Sequence, residues 1–240
     1  MDSLSQIVLG ASCAALVAPA GERRRALLIG AALGTVPDLD VLIGYGDPIR
    51  DFTMHRAFSH SLLVLPWLAL ALWALWMRVS PLPRAARWRW LLAFQLALLT
   101  HPLLDAFTVY GTQLWWPLGG SPVMIGSVFI IDPLYTLPLL AGAGWALATR
   151  GTGRGLAANA AGLLLSTAYL AWGVFAQQQV ERVARASLAA QGIQTERVLV
   201  AHDAYDPARY TARYDRDDAC RTLGLDPERP VVVYTGGLLA

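Results

Sequence analysis

Six apolar runs, at residues 4–20, 26–43, 61–77, 89–108, 128–149 and 155–176, occupy most of the chain up to residue 176. Each is close to the ~20 residues that a helix needs to cross the hydrocarbon core of a bilayer. In lipid the backbone N–H and C=O groups have no water to bond, so a spanning segment must be a helix or part of a closed barrel. Runs of this length without strict alternation select the helix. The expectation is an all-α membrane protein of about six transmembrane helices. Charge usage agrees: 15% of the residues are charged, against roughly 25% in a soluble domain. Gly30, Ala31 and Gly34 suit close helix contact in lipid. Pro37, Pro66, Pro102, Pro133 and Pro138 lie in or beside the runs, where membrane helices tolerate them. Leu4 to Ala18 could pass for the apolar part of a signal peptide, but the cluster Arg23-Arg24-Arg25 follows the run instead of preceding it. It is therefore read as a retained first helix.

The arginines give an orientation, because short cytoplasmic loops carry the excess of positive charge. Arg23, Arg24 and Arg25, then Arg78, Arg84, Arg87 and Arg89, then Arg150 and Arg154 fall in the first, third and fifth connections. The intervening loops, about 44–60 and 109–127, hold only Arg50 and Arg56. The bacterial inner (cytoplasmic) membrane is the expected location, with the second set of loops and both termini on the extracytoplasmic side.

Three regions are expected: a multipass membrane domain over 1–176, an extramembrane helix over 177–199 and a polar tail over 200–240. In the second, Val180, Val183, Ala184 and Leu188 share one helical face. The last ten residues, with Val231-Val232-Val233-Tyr234, read as a β-strand running into a Gly turn. Cys13 and Cys220 lie far apart, one in an apolar run and one in the tail, which argues against a structural disulfide. A net charge of +2 gives no sign of a nucleic-acid partner; membrane lipids are the expected surroundings.

Polar clusters punctuate the apolar background, and this topology gathers them at one membrane face. Asp38 and Asp40 end the second run, His55 and His60 precede the third, His101 and Asp105 close the fourth, and Asp132 opens the fifth. The i, i+4 spacing of His101 and Asp105 puts both side chains on one helical face. Taken singly each has a plainer reading: Asp in a Pro turn often bonds its own backbone, a helix-end Asp often caps, and His55 and His60 fit a solvated loop. Together, ionisable groups in membrane segments normally pair, line water or bind something. Mixed imidazole and carboxylate ligands suit zinc, manganese or iron over calcium or magnesium. Such a metal lowers the pKa of water toward neutrality and polarises a substrate oxygen. Arg56 matches an anionic group such as phosphate, although an interfacial arginine obeys the same charge rule. Trp115 and Trp116 read as interfacial anchors.

At these residues the chain resembles the bacterial inner-membrane proteins typified by YdjM, a family to which metal-dependent hydrolysis is ascribed without a defined substrate. The resemblance rests on Pro37-Asp38-Leu39-Asp40, His55-Arg56-x-Phe58-x-His60-Ser61, His101-x-x-x-Asp105-x-x-Thr108 followed by Gly111, and Leu114-Trp115-Trp116-Pro117, over about residues 1–199. It implies metal ligands at Asp38, Asp40, His55, His60, His101 and Asp105. The chain departs from many relatives in carrying Gln6 where they have a histidine. The tail, from Ala201-His202-Asp203 to Val231-Val-Val-Tyr-Thr-Gly-Gly237, is similar to the interdomain stretch and first C-terminal strand of GT-B glycosyltransferases. No transferase activity follows from so short a piece, and a lone strand is marginal by itself, so a poorly ordered tail is expected.

The functional expectation is a membrane hydrolase with a divalent metal, zinc or manganese first, and with Arg56 and His60 as its catalytic residues. A phosphoester or other small or lipid-linked substrate is the expected partner. The rivals are a membrane metal-binding or transport protein, which needs ligands distributed through the bilayer depth, and a noncatalytic membrane regulator.

Overall fold

The structure is a computed structural model that describes residues 1–46, 50–51, 54–80, 84–192 and 198. Among these the protein is all-helical, with α1 Ser3–Val17, α2 Arg23–Thr35, α3 Leu65–Val79, α4 Arg84–Asp105, α5 Pro133–Ala148 and α6 Gly153–Ala190. The only β-type pairing among them is a bridge between Thr112 and Val123. His202, Cys220, the expected C-terminal strand and the whole 200–240 tail lie outside the described residues.

Helices α1, α2, α3 and α5 are shorter than the apolar runs that announce them, with a proline near the shortened end of each, while α4 and α6 are longer than theirs. The run 26–43 stops being α-helical at Thr35, and Pro37–Leu42 continues as 3₁₀ turns. Pro37 has no N–H to return to Leu33, whose carbonyl instead accepts from Val36 N at 3.1 Å. The runs at 61–77 and 128–149 likewise become helix only at Leu65 and Pro133, each start carrying a proline in its first turn. Among the described residues, Gly153–Ala190 alone is long and apolar enough to cross a membrane by that measure. Ser3–Val17, Leu65–Val79 and Pro133–Ala148 are apolar but shorter; 15 residues rise about 22 Å, against a hydrocarbon core of ~30 Å.

The chain divides into two units, Met1–Phe175 and Ala176–Ala240. In the first, small residues bring backbones together. Gly30 and Gly34 of α2 meet α1 so closely that a Cβ on Gly34 would strike the Gln6 carbonyl oxygen, and one on Gly30 that of Gly10. Gly142 of α5 presses in the same way on Ala158 of α6. This is packing by shape, as expected where lipid tails give apolar side chains no reason to leave them. Trp90, Phe94, Leu98 and Leu65 fill the gap between α3, α4 and the first two helices. Outside, Trp67, Trp145, Trp172 and Leu164 stay largely exposed, an apolar exterior that a soluble monomer would not tolerate. In the second unit, the described stretch from Ala176 to Ala190 buries no side chain, and Arg185 pairs with Glu181 one turn away at 2.7 Å.

The connections rich in arginine gather at one end of the first unit. Arg23 Nη1 donates to Gly151 O at 3.1 Å, Arg89 Nε to Val17 O at 2.7 Å, and the Arg25 guanidinium lies 4.6 Å from the Trp76 ring centre. His101 and Asp105 lie at the far end of α4, about 20 Å away along the helix at ~1.5 Å per residue.

Candidate metal centre

Four side chains from three places in the sequence meet at that far end. Asp38 comes from the 3₁₀ turns after α2, His60 from the 3₁₀ turn Phe58–His60, and His101 and Asp105 from the last turn of α4. One ligand atom from each lies within 4.8 Å of all the others. Asp38 Oδ1 is 3.5 Å from His60 Nε2 and 3.2 Å from His101 Nε2. Asp105 Oδ2 is 3.2 Å from His60 Nε2 and 3.5 Å from His101 Nε2. A tetrahedron with metal–ligand bonds of ~2.0–2.1 Å has edges of roughly 3.3 Å, and these four separations straddle that value. His60, His101 and Asp105 are buried; the Asp38 side chain is 27% exposed, so the group opens on its side.

The protonation pattern leaves the right atoms free. A carbonyl only accepts, so His101 Nδ1 donates to Gly34 O at 2.6 Å and its Nε2 keeps the lone pair. Asp40 Oδ2 accepts from Ser59 Oγ at 2.5 Å. The Ser59 oxygen therefore accepts from His60 Nδ1 at 2.9 Å, and His60 Nε2 also presents its lone pair to the cluster. Neither His60 Nε2 nor Asp105 Oδ2 makes a hydrogen bond. Buried lone pairs that make no hydrogen bond are costly, and two of them facing one point fit a cation between them. Nitrogen and oxygen donors in this mixture suit zinc or manganese, so the residues present fit a divalent metal.

Asp40 and His55, also expected as ligands, are brought instead to each other. His55 Nδ1 donates to Asp40 Oδ1 at 2.8 Å, and Asp40 also accepts from the Arg56 backbone N–H at 3.1 Å. They adjoin the four-residue group through Ser59, which sequence reasoning had not singled out. Gln6 was noted only as a departure from relatives, yet its Nε2 donates to Asp105 Oδ1 at 3.0 Å and to His101 O at 3.2 Å. The Met1 amino group bonds the same carboxylate oxygen. Asp132 lies apart from the group: its Oδ1 caps α5 by accepting from Leu134 N and Tyr135 N, and its Oδ2 accepts from Tyr169 Oη at 3.0 Å.

Arg56 is buried against the group. Its Nε is 3.3 Å from Asp105 Oδ2, its Nη1 3.4 Å from Thr108 Oγ1, and its guanidinium 4.4 Å from the Tyr110 ring centre. Its backbone adopts φ +64°, left-handed and costly for a non-glycine residue, and its carbonyl accepts from Gln113 N at 3.0 Å. Burial pushes the Tyr110 phenol above its ordinary pKa, with the Arg56 cation opposing that and Asp40 adding to it. Of the expected anchors, Trp115 is about half exposed, and the Trp116 carbonyl accepts from Ser61 Oγ at 2.6 Å.

The family described as YdjM inner membrane protein matches residues 1–180, an interval that contains every residue of this centre. An uncharacterized protein of Bacillus subtilis (strain 168), YfhP, is 27% identical over 149 residues, covering 59% of this chain. The aligned part is 45% of that relative's length. No solved structure matches the chain. The family match ends before the tail, so the glycosyltransferase likeness of 200–240 gains no support from it.

Proposed function

Because the chain belongs to the YdjM inner membrane protein family, we propose that it is a multipass enzyme of the bacterial inner membrane that hydrolyses an anionic ester with a divalent metal. The observation that carries this reading is the group Asp38, His60, His101 and Asp105, three of them buried, in which two imidazole nitrogens and a carboxylate oxygen that makes no hydrogen bond face one point. A metal held there would supply Lewis acidity toward a substrate oxygen and toward water. His60 and His101 would hold it through Nε2, Asp105 through Oδ2, and Asp38 through Oδ1 on the open side.

The chain's own groups have separable tasks in this reading. Asp38, the half-open member, faces the approach of substrate. Arg56 supplies the fixed positive charge beside Asp105 and a planar donor for a phosphate-like group. The 3₁₀ turns that carry Asp38 also expose Leu39, Val41 and Leu42, an apolar collar suited to a lipid-linked phosphoester lying at headgroup depth. The arginine-rich connections at the opposite end favour the cytoplasmic side for that end, and hence an extracytoplasmic centre. A transport reading needs charged groups strung between the two ends; the buried polar side chains found there among the described residues, Ser12, Asn159 and Ser166, are neutral.

The test is hydrolysis of a phosphoester panel, including lipid-linked substrates, by detergent-purified, metal-replete protein. Activity abolished by His60→Ala supports the proposal; no activity that depends on His60 sinks it.

A further inference from the structure

We propose that Ser59 is a positioning residue of the metal centre: its hydroxyl couples the Asp40–His55 pair to His60 and thereby fixes which imidazole nitrogen faces the metal. This rests on the metal reading above and assigns a task to three residues that stand outside the four-residue group.

Asp40 and His60 cannot make this link directly, since His60 Nδ1 is 3.8 Å from Asp40 Oδ2, beyond hydrogen-bond reach. Ser59 Oγ lies between them, 2.5 Å from the carboxylate and 2.9 Å from the imidazole. A hydroxyl has one proton to donate and two lone pairs. With the proton committed to Asp40, the oxygen can only accept from His60, which keeps the proton on Nδ1 and the lone pair on Nε2. Asp40 is itself held from two further sides, by His55 Nδ1 at 2.8 Å and the Arg56 N–H at 3.1 Å. His101 reaches the same tautomer by a simpler route, through the Gly34 carbonyl. Both histidines thus receive the outer partner that metal-binding imidazoles require. For His60 that partner is a relay whose far end, His55, is about a quarter exposed. Ser59 and His60 are both buried, so water is a poor substitute for the hydroxyl.

The test is metal affinity of the detergent-purified full chain, by chelator competition with Zn2+, together with the visible absorption of the Co2+ form. Ser59→Ala, and Ser59→Cys as a nearly isosteric variant should alanine impair folding, are expected to bind about 10–100-fold more weakly. Their cobalt bands should shift as the His60 ring loses its orientation. Asp40→Asn should weaken binding similarly, and the double variant Asp40→Asn/Ser59→Ala should be little worse than either single one, since one relay is cut twice. Wild-type affinity and cobalt spectrum in the Ser59 variants, or fully additive losses in the double variant, overturn the role of Ser59 alone. A wild-type protein that takes up neither metal overturns the metal reading and this inference with it.

Discussion

Gly34→Ala places a methyl group where the structure has another helix's backbone. The added Cβ would strike the Gln6 carbonyl oxygen and approach Ile7 Cα at 3.5 Å. Neither can rotate away as a side chain would, so α1 and α2 must separate. Overpacking of this kind costs about 3 kcal/mol at the upper end of its usual range, and alanine's better helix propensity returns about 1 kcal/mol, leaving a net loss of about 2 kcal/mol. Gly144 on α5 is the internal control, because nothing lies within 4 Å of a Cβ built there. Gly144→Ala should gain about 0.5–1 kcal/mol. The two alanines should therefore shift thermal unfolding in detergent in opposite directions, Gly34→Ala downward by about 4–8 °C. A second readout tests the link to the centre, since the Gly34 carbonyl is the partner that holds His101 Nδ1. Moving that carbonyl should weaken metal binding about 10-fold or more. Gly34→Ala protein that melts with the wild type and binds metal as tightly would refute both the packing and its coupling to His101.

Arg56→Ala and Arg56→Gly should be equally poor in metal-dependent activity, since both lose the guanidinium. The glycine variant should be the more stable of the two by about 1 kcal/mol, because φ +64° suits glycine; equal melting temperatures would count against strain at this residue. Asp132→Ala removes the α5 cap and should cost about 1 kcal/mol while leaving metal stoichiometry unchanged, and loss of the metal in that variant would show that Asp132 belongs to the centre after all. Saturating zinc at about 100 times its dissociation constant should stabilise the protein by ~2.7 kcal/mol, an increment that a chelator reverses in a thermal-shift assay.

The helices were legible from apolar run length, but their bounds were not, because the runs continue through turns whose side chains stay just as apolar. Val41 and Leu42 belong to a run by composition and to 3₁₀ turns by conformation. The convergence of Asp38, His60, His101 and Asp105 could be read from topology, since alternate helix ends share a face. The division of labour among the six expected ligands could not, because it depends on distances of a few ångströms between turns. Asp40 turns toward His55 and Ser59, and Asp132 toward its own helix. A lone serine between two histidine-bearing positions carries no periodicity or charge signal. Its role emerges only when the carboxylate of Asp40 arrives from residues nearly twenty positions earlier. Gln6 was visible as a substitution in a resemblance, and its contact with Asp105 needed the close approach of α1 to α4.

The most direct test of the central claim is elemental analysis of detergent-purified protein, wild type beside His101→Ala and His60→Ala, each checked for folding by circular dichroism. The account predicts a stoichiometric divalent metal in the wild type, zinc or manganese, that is lost in both folded variants. Negligible metal in a folded, metal-exposed wild-type protein, or equal metal in all three, would contradict it.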